Sequence, residues 1–265
     1  MPDVLLRLDS ACIQLGRGSH ARAMGPFNLQ LQAGERVAVL GPSGAGKSSL
    51  LRLLAAEWDS TQGHVHLQGR PMQHWSLPAL SRARAVLPQS HEVAFGLPTD
   101  LVVGLGRVAL HPDPQGAHIV RQAAAAAQAS HLLGRRFDTL SGGEKARIQL
   151  ARVLAQLWDV EGGLVLVDEP VAALDPGLQW SLLDALHAFV QQRGHALVAV
   201  LHDVQQALDG FGRWCLVQHG VLQADLRDRQ ALLQALPSLY GVPFVQALTD
   251  TGQLLLSPGR NQQSV

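Results

Sequence analysis

Short segments of this chain carry residue types whose spacing suits phosphate chemistry. In Gly41-Pro42-Ser43-Gly44-Ala45-Gly46-Lys47-Ser48-Ser49 the glycines let backbone N–H groups curl around phosphate oxygens. Lys47 is placed to reach the β- and γ-phosphates and the Ser48 hydroxyl to ligate Mg²⁺. Leu164-Val165-Leu166-Val167-Asp168-Glu169 sets two carboxylates at the end of an apolar strand, where ligands sit in open α/β sheets. Asp168 is expected to hold Mg²⁺ through water, and Glu169 to orient or polarise the attacking water. A third segment, Leu140-Ser141-Gly142-Gly143-Glu144, opens a helix whose free N–H groups form a second phosphate-binding surface. A chain with two such surfaces is built to close on a nucleotide from two sides.

Further residues complete the chemistry. His202 follows the apolar strand Ala196–Leu201 directly and is expected beside Glu169, in contact with the γ-phosphate. Gln89 ends a short strand, and its amide can both ligate Mg²⁺ and hydrogen-bond water. Asp175 precedes Pro176 and can cap the helix that starts there, a role compatible with one at the site. His64 and His66 alternate on a strand and share a face, which makes them a candidate metal pair.

The elements that must position these groups follow from the apolar pattern. Val37–Leu40, Leu164–Val167 and Ala196–Leu201 are continuous apolar runs, as expected of strands covered on both faces. Helices are expected over Lys47–Ala56, Gln122–Ala129, Gly143–Leu157, Pro176–Arg193 and Asp203–Leu208. Leu5–Leu8, Ala11–Leu15, Phe27–Leu31 and Gly63–Leu67 read as short strands, and Trp214–Gln218 with Gly220–Gln223 as a hairpin. The tail from Pro237 holds two short strand candidates around Thr249–Gly252 and then a polar end. Strands alternating with helices imply an α/β fold with a mainly parallel sheet. The Ala-rich, Pro/Gly-broken texture from His91 to Phe137 marks an inserted helical subdomain. The division expected is 1–88 and 159–235 for two parts of one core, 89–158 for the helical subdomain, and 236–265 for a C-terminal extension.

Composition narrows the partners. The 265 residues are 47% hydrophobic and 16% charged, a globular balance. Lys+Arg and Asp+Glu both number 21, so no basic excess exists to neutralise nucleic-acid phosphates, and none is expected as partner. The lysines are Lys47 and Lys145; every other fixed positive side chain is Arg, so Lys47 stands out. Cys12 and Cys215 cannot define a disulfide framework or metal site, and are expected to be buried reduced thiols. The start MPDVLLRLDS has no apolar signal-peptide core, and no apolar run reaches the roughly 18 residues of a membrane span. Work at a membrane therefore calls for a partner.

Together these motifs, in this order, resemble the nucleotide-binding subunit of ABC transporters. Gly41–Ser48 looks like Walker A, Gln89 the Q-loop, Leu140–Glu144 the signature and Leu164–Asp168 with Glu169 Walker B and its catalytic glutamate. Ala173–Asp175 is similar to the D-loop and His202 to the switch histidine. The resemblance implies a P-loop (RecA-like) ATPase core with an N-terminal antiparallel β subdomain. It also implies a head-to-tail dimer in which each ATP lies between Lys47 of one copy and Ser141–Gly143 of the other, with Mg²⁺ at Ser48, Gln89 and Asp168. The implied partners are a second copy, a transmembrane permease dimer and, indirectly, a periplasmic binding protein. The implied place is the cytoplasmic face of the inner membrane.

Within the family, Arg84–Gln89, Ala94-Phe95, Val103–Arg107 and Leu239–Pro243 resemble importers of iron chelates, haem and cobalamin. Leu150–Trp158 looks most like the hemin importers. Departures exist. The family places an aromatic upstream of Walker A to stack on adenine; near Ile13–Gly18 there is none, leaving His20 or Phe27 to substitute. Val171 and Ala172 or Ala173 stand where the family often has Thr and Ser. The readings that compete with hemin import are a cobalamin or ferric-siderophore importer and, from another class, a soluble ABC-type ATPase acting on DNA or ribosomes.

Overall fold

Residues 4–16, 22–89, 96–169 and 174–259 are described by a computed structural model. At the centre is a six-stranded sheet. In chain order its strands are β3 (Arg36–Leu40), β6 (Arg84–Leu87), β7 (Leu164–Asp168), β8 (Ala196–Val200), β9 (Arg213–Gln218) and β10 (Val221–Leu226), with spatial order β10-β9-β3-β8-β7-β6. All neighbours are parallel except the β9–β10 hairpin. Side chains alternate across a strand, so each apolar run divides between two cores. Val37, Val39, Leu164, Leu166, Val198 and Val200 face one core; Ala38, Leu40, Val165, Val167, Leu197 and Ala199 face the other. That double burial is why these runs are continuous rather than alternating.

The first core is closed by an antiparallel sheet ordered β2-β1-β4-β5, comprising β1 (Val4–Leu15), β2 (Arg22–Gln32), β4 (Gln62–Leu67) and β5 (Arg70–Pro71). Helix α1 (Lys47–Leu54) lies under it, with Leu50, Leu51, Leu53 and Leu54 buried. The two strands expected at Leu5–Leu8 and Ala11–Leu15 are one: Ser10, at φ 47°, makes a bulge between Leu8 and Ala11 and the ladder resumes. Arg213 fastens this layer to the central sheet through Glu35, Asp225 and the Gln30 carbonyl.

Helix α2 (Leu77–Ala83) buries Leu80 and Ala83 in the first core, whereas the second carries the helical part, α3 (Thr99–Gly104), α4 (Gly116–Ala126) and α5 (Gly142–Gln156), and then α6 (Pro176–Gln192), α7 (Val204–Gly210) and α8 (Arg229–Tyr240). Buried Arg107 binds Asp113, Asp159 and the Ala155 carbonyl, pinning the 3-10 turn Leu105–Leu110 to the end of α5.

At Pro237 the tail differs from expectation. Pro237 does not open it but lies inside α8, where buried Leu232, Leu233, Leu236 and Leu239 outweigh the roughly 3 kcal/mol a proline costs a helix. The expected boundary at 235/236 therefore falls within a helix. The two short strands expected around Thr249–Gly252 are present as β11 (Phe244–Leu248) and β12 (Leu254–Pro258), joined by a turn at polar Thr249, Asp250 and Thr251. Cys215 is buried as expected, whereas Cys12 is only half-buried; both are free.

Buried His195 makes stability pH-dependent. Its Nδ1 accepts the Gly163 N–H at 2.9 Å, and burial pushes its pKa down to about 4. An unfolded histidine titrates near 6.5, so between pH 6.5 and 4 the unfolded chain holds a proton the folded chain lacks. Stability therefore falls as pH falls through that window. Denaturant unfolding is expected to show a loss of about 2 kcal/mol from this residue between pH 7 and 5. In His195→Gln that part of the slope disappears; an unchanged slope refutes the assignment.

Candidate active site

The site collects at the C-terminal ends of β3, β7 and β8. The loop leaving β3 wraps to Gly46, whose φ of 104° only glycine adopts readily, and α1 begins at Lys47. The loop is backed by the β9–β10 turn: Gly220 donates its N–H to the Ala45 carbonyl at 2.8 Å and accepts the Gly25 N–H at 2.7 Å. Gly41 approaches β9 so closely that a Cβ there would lie 2.1 Å from the Val217 carbonyl oxygen. Lys47 is 5% exposed, and its ammonium donates to the Gly41 and Pro42 carbonyls at 2.8 and 3.1 Å. Burial lowers its pKa, while Glu169 and Asp168 act the other way and favour the charged form.

Asp168 ends β7, where Ser48 Oγ donates to its Oδ1 at 3.3 Å. Its pKa is raised, chiefly by burial and further by Glu169, against the Ser48 hydrogen bond and the charges of Arg52 and Lys47. Glu169 sits at φ 48°, the left-handed region, with its N–H on the Val200 carbonyl. This turn brings its carboxylate to Gln89, whose Nε2 donates to Oε2 at 2.6 Å, and to His202, whose Nε2 pairs with Oε1. His202 lies between β8 and α7, and the next residue, Asp203, caps α7 by accepting the Gln205 and Gln206 N–H groups.

Ser43–Ser49, Gln89, Glu169 and His202 line one cavity of about 380 Å³ together with Met24. Met24 has no counterpart among the residues expected at the site. It arrives from β2 through the Gly25–Gly220 contact and lies against Gly46 and Gly220, a placement no local pattern signals. Phe27, offered as a base-stacking substitute, is 0% exposed and faces the core, so it cannot stack on a ligand. His20, the other substitute, lies outside the described residues, as do His91, Ala94, Phe95, Val171, Ala172 and Ala173.

Ser141–Glu144 do not line this cavity. Ser141 caps α5: its Oγ accepts the Glu144 N–H, while Glu144 Oε2 takes the Ser141 N–H at 2.8 Å and Oε1 takes Arg135 at 2.7 Å. Glu144 thus holds the turn in shape with both carboxylate oxygens. Gly143 faces Leu178 of α6, where a Cβ would stand 2.4 Å from its Cδ2. Asp175 accepts the Leu178 N–H at 3.0 Å as the cap of α6, the structural role expected of it.

The His64 and His66 rings lie 6.1 Å apart, and among the described residues no group of three or more His, Cys, Asp or Glu converges as a metal site. The donors near Lys47 are a hydroxyl, a carboxylate and an amide oxygen. Such hard oxygens suit a cation that keeps phosphate and water among its ligands, as Mg²⁺ does. The arrangement can bind a triphosphate by backbone N–H groups and Lys47, and can hold a water against Glu169.

The chain matches a family model described as ABC transporter over residues 24–172. It is 41% identical to a hemin import ATP-binding protein, HmuV, of Pseudomonas entomophila (strain L48), over 94% of this chain and 98% of the relative. It is 42% identical to the protein of that name from Nocardia farcinica (strain IFM 10152), over 93% and 85%. Among solved structures it is similar to a chain of a metal-chelate type ABC transporter in an inward-facing conformation, with TM-score 0.80, 24% identity and coverage of 97% and 98%. It is also similar to the ATP-binding cassette MJ0796 in a dimeric post-hydrolysis state with ADP and Pi, with TM-score 0.75, 21% identity and coverage of 84% and 98%.

Proposed function

This chain belongs to the ABC transporter family, and from that membership we propose that it is the ATP-hydrolysing subunit of a hemin importer. The observation that carries the cargo is the similarity along nearly its whole length to hemin import ATP-binding proteins. The grouping of Glu169, Gln89 and His202 above the phosphate loop supports the hydrolysis.

In this reading the N–H groups of Gly44–Ser49 and the Lys47 ammonium bind the β- and γ-phosphates. Glu169 accepts a hydrogen bond from the attacking water and orients it, with Gln89 steadying the carboxylate. His202 contacts the γ-phosphate from the β8 side. Ser48, Asp168 and Gln89 would hold Mg²⁺, which when bound neutralises charge on the phosphate oxygens. Ser141–Gly143, kept in shape by their capping box, face the nucleotide of a second copy in a head-to-tail dimer, with Asp175 beside that interface.

Among the described residues no helix is long and apolar enough to cross a membrane, so the protein acts there through a permease. Exposed Leu101, Leu105 and Val108 on the helical part form an apolar surface suited to that contact, on the cytoplasmic face of the inner membrane.

The test is uptake of labelled hemin, cobalamin and a ferric siderophore in a strain lacking this gene. Loss of hemin uptake alone, restored by the wild-type chain, is expected. Loss of another cargo alone overturns the hemin reading and keeps the ATPase; loss of none overturns the importer reading.

A further inference from the structure

Glu169 stands between two chain segments: one leaves β7 toward Leu174 and α6, and the other leaves β8 through His202 into α7. A pair of glutamine side chains joins them behind the site. Gln179 of α6 donates its Nε2 to the Leu174 carbonyl at 2.9 Å, and its Oε1 accepts Nε2 of Gln206 in α7 at 2.5 Å. Gln206 is 3% exposed, so its amide has no water to fall back on, and losing a partner there is costly. The Leu174 carbonyl can only accept, so Gln179 must turn its NH₂ toward it and its oxygen toward Gln206, which must then donate. One backbone acceptor thereby orients both amides.

Helix α7 needs such anchors, being only seven residues long. On its outer side Gln205 bonds the Leu254 carbonyl at 3.0 Å and the Leu256 N–H at 2.8 Å of β12. On its inner side Gln206 is a polar anchor, beside the Ala207 carbonyl, which accepts the Trp214 Nε1–H at 2.8 Å. His202 lies four residues earlier, joined to the helix by the Asp203 cap.

We propose that Gln179 and Gln206 are a positioning pair, setting His202 against Glu169 and coupling it to the turn that enters α6. The proposal rests on the ATPase reading above. It makes no demand that either amide touch nucleotide.

The test is steady-state and single-turnover ATP hydrolysis by the full chain with ATP and Mg²⁺, on variants whose melting temperatures are measured alongside. Gln206→Met keeps the volume and removes the hydrogen bond. It is expected to lower kcat about tenfold with KM for ATP nearly unchanged, the signature of a displaced group rather than lost binding. Gln179→Glu still accepts from Gln206 but cannot donate to Leu174, so a smaller fall of about threefold is expected. In a His202→Ala background, Gln206→Met is expected to add nothing, because the pair acts through His202. An unchanged kcat, or a fall that persists in full without His202, overturns the proposal. If Gln206→Met does not fold, Gln179→Glu with and without His202 decides the same question. A wild-type chain that hydrolyses no ATP overturns the ATPase reading instead.

Discussion

Glu169→Gln is expected to lower ATP turnover by about 10²- to 10⁴-fold while leaving ATP binding in place. The substitution keeps shape and volume, so packing at the end of β7 is undisturbed. What is lost is the negative charge. Glu169 accepts from the Gln89 amide on one oxygen and meets His202 on the other. A glutamine there sets an NH₂ against one of these donors, and its neutral oxygen is a weaker acceptor for a water proton. Binding survives because the phosphate contacts come from the loop and Lys47. Turnover, together with ATP-dependent dimerisation followed by size-exclusion chromatography, checks the prediction. A slow variant that accumulates as a dimer with ATP supports the two-sided closing. A variant that turns over normally removes Glu169 from catalysis, and one that stays monomeric with ATP counts against the closing.

The second large effect is at Lys47. Lys47→Ala is expected to weaken ATP binding by at least about 100-fold, because a nearly buried cation facing phosphate is replaced by a methyl group. The ammonium also links the Gly41 and Pro42 carbonyls, so its loss removes one donor from each, leaving Pro42 the Ala45 N–H, and slackens the loop that presents the N–H groups. Both effects weaken phosphate binding. Fluorescent-nucleotide titration measures it directly, and an unchanged affinity removes Lys47 from its role.

Some residues are legible in the sequence because their signals are local. A phosphate loop needs glycines and a lysine at set offsets, followed by a helix. Walker-type acids need an apolar strand that ends beside that loop. Both are properties of a dozen consecutive residues. The double burial of β3, β7 and β8 is legible for the same reason, since a strand covered on both faces has no polar alternation to show. The start of the tail is not legible in this way, because a local signal there opposes the fold. Pro237 speaks for a break, yet buried leucines carry the helix through it. The polar Thr249–Gly252 run is a turn between two apolar strands.

By itself, then, the sequence determined the α/β class, the phosphate loop, the acids at the end of β7 and the histidine at the end of β8. These depend on backbone geometry over a few residues and on which faces are apolar. The tertiary structure alone decided that Met24 and not Phe27 reaches the cavity. Both sit on one strand, and the bulges and the Gly25–Gly220 contact decide which side chain meets the loop. It alone decided that the second carboxylate oxygen of Glu144 is held by Arg135. It alone brought Gln179 and Gln206 together across two helices. Contacts between residues far apart in the chain are set by how whole elements pack, and no spacing in the sequence encodes them.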